Sequence, residues 1–135
     1  MARIDELEVG QSATYERTVS ETDIAQFAEL SGDHNPVHLD EAFAAKTLFK
    51  GRIAHGMLSA AFISTTVGTK LPGHGSIYVS QSLRFRAPVR IGDTVVTTAT
   101  VKAINRERRR VTMEPVCRVG ETVVLDGEAE LMLTE

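Results

Sequence analysis

The chain has 135 residues, 42% of them hydrophobic, with 15 Lys and Arg against 18 Asp and Glu, for a formal net charge of −3. That length suffices for a single domain with one buried core, and the mildly acidic balance gives no general attraction to nucleic acid or acidic membrane surfaces, so any phosphate site must be local. The start, Met1-Ala2-Arg3-Ile4-Asp5-Glu6, has no apolar signal core, and no run approaches the roughly 18 apolar residues of a spanning helix; this predicts a cytoplasmic protein without a membrane partner.

In chain order, a strand is expected around residues 13 to 19, followed by a helix from Glu21 to about Leu30. Ser20 is placed to cap that helix with Asp23 at its third position, Ile24, Phe27 and Ala28 form one apolar stripe, and Ser31-Gly32 is a helix exit. A second helix is predicted from Gly56 to Val67. Its sequence is uncharged and mostly apolar all round, the pattern of a helix enclosed by protein. After Pro72-Gly73-His74-Gly75 the period changes to two. Ile77, Val79, Leu83 and Phe85 alternate with polar residues, then Val95, Ala99, Val101 and Ala103, then Val111, Met113 and Cys117, then Val123, Leu125, Ala129, Leu131 and Leu133. Turns at Gly92-Asp93, Asn105 to Arg108 and Gly120-Glu121 separate these runs, which predicts an antiparallel meander of four strands joined by the earlier one. An apolar helix followed by such a sheet gives an α+β layout with the sheet curled around the helix. The single cysteine, Cys117, is expected as a buried core thiol.

The string from Leu30 to Asp40, Leu-Ser-Gly-Asp-His-Asn-Pro-Val-His-Leu-Asp, sets a carboxylate, Asp33, and an imidazole, His38, on either side of Asn35-Pro36. Five residues apart on a helix they would diverge, but a stiff turn at Pro36 can bring them together. An imidazole titrating near neutrality beside a carboxylate suits the proton transfers of adding water to a double bond or removing it. The residues alone leave a second reading open, in which Asp33 is a turn residue and His38 a lining or surface histidine. Gly56 likewise has two readings: a side-chain-free amide at a helix N-terminus that meets a developing oxyanion, or a close-packing glycine. The four histidines show no metal-binding spacing and there is no second cysteine, so no metal is expected; no GxGxxG or P-loop argues for a bound nucleotide cofactor.

With His55-Gly56-Met57, Leu71-Pro72-Gly73, Gly75-Ser76-Ile77-Tyr78, Gln81-Ser82-Leu83 and Pro88-Val89-x-x-Gly92-Asp93, the string resembles the MaoC-like or hydratase 2 family along nearly the whole chain, specifically short bacterial (R)-specific enoyl-CoA hydratases. The resemblance implies the hotdog fold and reversible syn hydration of a trans-2-enoyl-CoA to the (R)-3-hydroxyacyl-CoA, a feed for polyhydroxyalkanoate synthesis. It implies Asp33 and His38 as the catalytic pair, the Gly56 N–H on the thioester oxygen, Asn35 and Ser64 as supporting residues and His55 as a structural residue of its turn. No cofactor is implied, since coenzyme A is part of the substrate, and a homodimer is implied by the length of the subunit and its open sheet edge. The acyl pocket is expected between the helix at Phe62 to Val67 and the strand carrying Leu131 and Leu133. The basic run Arg106, Arg108, Arg109, Arg110 is either a solvated turn or a contact for coenzyme A phosphates. Rival expectations are a 3-hydroxyacyl thioester dehydratase acting on acyl carrier protein, a non-catalytic acyl-CoA-binding module, and a thioesterase, which fold alone would not separate.

Overall fold

The computed structural model of the chain describes residues 3–134. After a short 3-10 turn at Ile4–Glu6 come β1 (Ser12–Thr18) and α1 (Glu21–Ser31). α1 starts where the sequence puts it: the Asp23 N–H donates to Ser20 Oγ at 3.0 Å and the Ser20 N–H to the Asp23 carboxylate at 3.1 Å, satisfying two backbone donors that the helix cannot. It stops at Gly32, which takes a φ of +81° and donates its N–H to Ala28 O at 2.8 Å.

The Asn35-Pro36 turn is more regular than expected. It opens a one-turn helix, α2 (Pro36–Leu39), because Asn35 Oδ1 accepts the Val37 N–H at 3.2 Å and proline at the first helical position lacks the N–H that would otherwise need a partner. α3 (Glu41–Ala44) follows, capped by Asp40. Next are α4 (Gly56–Thr69), β2 (Ser76–Phe85), β3 (Thr94–Asn105), β4 (Arg110–Val119) and β5 (Thr122–Leu133).

The strands form one antiparallel sheet in the order β1-β3-β4-β5-β2. β3, β4 and β5 are the expected meander, with Ala99 opposite Pro115 and Cys117 opposite Leu125. β2 corrects the expectation of four strands in succession. It lies beyond β5, with Ser76 opposite Leu133 and Phe85 opposite Leu125, and does not touch β3. The period of two locates a strand but not its neighbour; the β2–β3 connection, residues 86–93, is long enough to carry the chain across the sheet instead of closing a hairpin.

α4 lies across one face of the sheet and touches all five strands. It buries Leu58, Ser59, Phe62, Ile63, Thr66 and Val67, while Met57, Ala61 and Ser64 are exposed. Those three follow the spacing of one helical stripe, so within this chain the helix is covered on one side and not all round. Its first half packs into a core with Ile24, Val89, Val95, Val124 and Leu125. Its last turns enter a second core through Val67, which meets Val101, Val111, Met113 and Leu131. Each fully buried aliphatic side chain of this kind stabilises the fold by about 1.5–3 kcal/mol, before the entropy of ordering it is counted. Cys117 is fully buried as expected, 3.3 Å from Thr97 Oγ1, and burial pushes its thiol pKa up, away from nucleophilic chemistry.

Candidate active site

Three segments converge at the N-terminal end of α4. The Gly32 exit from α1 delivers Asp33, α2 delivers His38, and His55 stands immediately before the first residue of α4. A carboxylate oxygen of Asp33 and one ring nitrogen each of His38 and His55 lie within 4.8 Å of one another. One water making two hydrogen bonds of about 2.8 Å joins atoms about 4–5 Å apart, so the Asp33–His38 spacing suits a shared water.

His38 is held in one orientation. Its Nδ1 lies 2.8 Å from Ile53 O, and since a carbonyl only accepts, Nδ1 carries the proton and Nε2 is left with its lone pair. The backbone is fixed as well: Arg52 Nε donates to His38 O at 2.7 Å, and the Ile53 N–H reaches Val37 O at 3.3 Å. Arg52 in turn pairs with Glu21 of α1 at 2.8 Å, so α1 and α2 are clamped by one side chain. His38 is only 8% exposed. Burial holds its pKa below the ordinary histidine value, with the nearby His55 acting in the same direction and the Ile53 carbonyl and Asp33 opposing. A histidine kept neutral near pH 7 with a free Nε2 is equipped to accept a proton.

Beside His38 lies a cavity of about 420 Å³, within the range of small-molecule sites, with His38, His55, Gly56, Ser59 and Arg86 as its polar lining and Phe49, Ile53, Val89, Val124 and Leu125 among its apolar walls. Asp33 is exposed and stands outside that wall. Gly56 opens α4, where backbone N–H groups have no helical acceptor and the positive end of the helix dipole faces outward. A Cβ at residue 56 would come within 2.5 Å of Cε1 of Phe85, so the ring lies directly against this glycine. The close-packing reading of Gly56 therefore holds, and the same residue lines the cavity.

The MaoC like domain model matches residues 6–123. The chain belongs to the MaoC-like family. An (R)-specific enoyl-CoA hydratase from Rhodospirillum rubrum is 54% identical over 129 residues, covering 96% of this chain and 90% of that protein. Among solved structures, the R-hydratase PhaJ1 from Pseudomonas aeruginosa superimposes with a TM-score of 0.92 at 49% identity, covering 98% of this chain and 85% of that one. The (R)-hydratase from A. caviae described as involved in PHA biosynthesis gives a TM-score of 0.91 at 43% identity, covering 95% and 98%. The fold of this MaoC-like chain is accordingly the hotdog α+β arrangement that the resemblance implied.

Not every residue singled out in the sequence comes to this MaoC-like site. Asn35 does, as the cap that starts α2, and its own N–H donates to Asp33 Oδ1 at 3.2 Å. Ser64 does not: it is exposed and outside the cavity, and Ser59 lines it instead. At about 100° per residue Ser64 points about 80° to one side of Gly56 and Ser59 about 60° to the other, and the cavity lies on the side of Ser59. Phe62, Val67 and Leu131 do not line the cavity either. Phe62 packs 5.9 Å from the Tyr15 ring, and Val67 and Leu131, 0% and 1% exposed, sit in the second core. Arg106 ties the N-terminal segment through Ile4 O and Leu7 O, and Arg110 pairs with Glu130. From Arg110 to Cys117, which faces the cavity-lining Leu125, β4 runs roughly 23 Å at about 3.3 Å per residue, so this basic turn lies at the far end of the sheet.

The sequence reading passed over Arg52, Ser59 and Phe85, and took His55 as structural. The spacing of His55 from Asp33 carries no local pattern, because the two meet only through the fold. Asp33, His38 and His55 are also the one group among the described residues with ligand atoms close enough for a metal ion. The two imidazoles, however, are stacked at 3.9 Å with 29° between planes, so their lone pairs run side by side and do not converge on one point as a zinc site requires.

Proposed function

We propose that this chain is an (R)-specific enoyl-CoA hydratase that adds water reversibly across a trans-2-enoyl-CoA. The observation that carries the reading is the pairing of the Asp33 carboxylate, outside the cavity wall, with the ring of the cavity-lining His38 within 4.8 Å, His38 presenting a free Nε2. His38 takes a proton from the water as its oxygen bonds to the β-carbon. Asp33 holds that water, and the proton His38 has taken passes across the pair to Asp33 and on to the α-carbon, so the elements of one water are added and both groups return to their starting states. The Gly56 N–H faces the thioester oxygen as negative charge gathers there, the place where a preorganised donor has most effect. The proton traffic belongs to the pair, since taking a proton from water and giving one to carbon needs both groups. No bound metal or cofactor takes part in these steps.

The identity to hydratases that act on coenzyme A thioesters supports coenzyme A as the carrier, and the relative involved in PHA biosynthesis supports supply of polyhydroxyalkanoate precursors as the use of the product. No described helix is long and apolar enough to cross a membrane, and we place the reaction in the cytoplasm. A homodimer is part of the same proposal. Beyond β5, β2 is the outer strand of the sheet and exposes Ile77, Tyr78, Val79 and Phe85; an apolar open edge of this kind needs cover, and a second copy joined along β2 supplies it. Sedimentation of a monomer at assay concentrations would remove that part.

The deciding assay mixes purified protein with crotonyl-CoA and follows loss of the conjugated double bond and the chirality of the product. Formation of (R)-3-hydroxybutyryl-CoA is expected. Binding without turnover, or release of free coenzyme A, would replace hydration with a binding or thioesterase role, and faster turnover of the same acyl group on acyl carrier protein would change the carrier.

A further inference from the structure

Of the two histidines in the site, the second has no role in the steps above, yet it touches both members of the pair. His55 is 2% exposed, and its Nε2 lies 2.9 Å from the main-chain oxygen of Asp33, to which it donates. Its ring stacks on His38 at 3.9 Å and packs against Phe27 at 4.9 Å. The bond to Asp33 spans 22 positions, whereas the other hydrogen bonds of residues 33–35 go to neighbours within five. It is thus the tie between the Asp33 loop and the core.

His55 occupies the N-cap of α4 but makes no capping bond with its side chain. Its Nδ1 is the one buried side-chain polar atom without a partner among the described residues. An apolar ring of the same size would fill this space without leaving an unsatisfied nitrogen, so packing alone does not account for a histidine here. The donor at Nε2 does.

We propose that His55 is a positioning residue for the hydration: it holds Asp33 by the main chain and His38 by ring stacking, and so fixes the gap across which the pair shares its water. This rests on the reading of Asp33 and His38 as the reacting pair. Catalysis is sensitive to such spacing, since a displacement of about 1 Å can cost on the order of 10²-fold in rate.

The test uses the full chain with His55→Phe, which keeps a ring and removes the donor, and His55→Gln, which keeps an N–H near the position of Nε2. Each is measured for kcat and KM on crotonyl-CoA and for thermal unfolding, with His38→Ala alongside. His55→Phe is expected to lower kcat on the order of 10²-fold with KM close to wild type, and His55→Gln to recover most of the loss. A folded His55→Phe with wild-type kcat, or a folded His55→Gln as slow as His55→Phe, overturns the proposal. If His55→Phe does not fold, His55→Gln decides: near-wild-type kcat supports the role of the donor, and a folded but slow protein overturns it. Wild-type turnover by His38→Ala would instead remove the underlying catalytic reading, so the two failures are told apart.

Discussion

The two ends of α4 are built from similar apolar side chains but finish differently. Toward its C-terminus, Val67 is sealed among Ala99, Val101, Val111, Met113, Ala129 and Leu131. Toward its N-terminus, the core of Leu58, Phe62, Val89 and Leu125 gives way to His38, His55 and Ser59 around a cavity. Polar groups are tolerated there because most are tied, His38 through Nδ1 and His55 through Nε2, and a tied polar group is rigid as well as satisfied. The sealed end anchors the helix, and the open end uses that anchorage to hold a few reactive atoms in place.

Exchanging side chains at each end should therefore fail in different ways. Gly56→Ala puts a methyl group against the Phe85 ring at the open end. Turnover should fall on the order of 10²-fold through displacement of the amide, and a Phe85→Ala background should restore part of it by making room. Equal rates for Gly56→Ala in both backgrounds would show that the ring contact is irrelevant. At the sealed end, Leu131→Ala should cost about 2–5 kcal/mol of stability by leaving a cavity, read as a lower denaturant midpoint. Neither Leu131→Ala nor Val67→Ala should shift the preference between short and medium enoyl-CoAs; a shift would return the acyl pocket to where the sequence alone placed it.

A smaller effect concerns pH. Proton acceptance needs neutral His38, and burial lowers its pKa, so hydration should hold as pH falls to the usual histidine value of about 6.5 and decline only below it. An acidic limb of kcat/KM centred above that value contradicts the burial account. Least of all should change when Arg108 and Arg109, in the turn at the far end of the sheet, are both replaced by alanine: KM for enoyl-CoA and its salt dependence should stay as they were. A raised KM would mean that this turn reaches substrate, through a second copy if not within its own subunit.

Much of the open end is visible in the sequence because its devices are local. The Ser20–Asp23 box, the Gly32 exit, the Asn35-Pro36 helix start and the Gly56 start of α4 each depend on residues a few positions apart, and together they deliver Asp33 and His38 to one place. Contacts between distant segments were less legible. The position of β2 beyond β5, the Phe85 ring on Gly56, the clamp of Arg52 on α2 and the bond from His55 to Asp33 depend on how elements pack. The alternating residues Ile77 and Val79 resemble core positions in a window of sequence, yet they lie exposed on an edge strand. Period records which faces are apolar and does not say what covers them.

The central claim is that Asp33 and His38 together activate one water, and it is tested most directly by comparing wild type, Asp33→Asn and His38→Ala for kcat on crotonyl-CoA and for affinity toward the saturated butyryl-CoA. Each substitution should lower kcat on the order of 10²–10⁴-fold, as loss of a general acid or base does, while the saturated thioester binds about as before. Wild-type turnover in either folded variant would contradict the account.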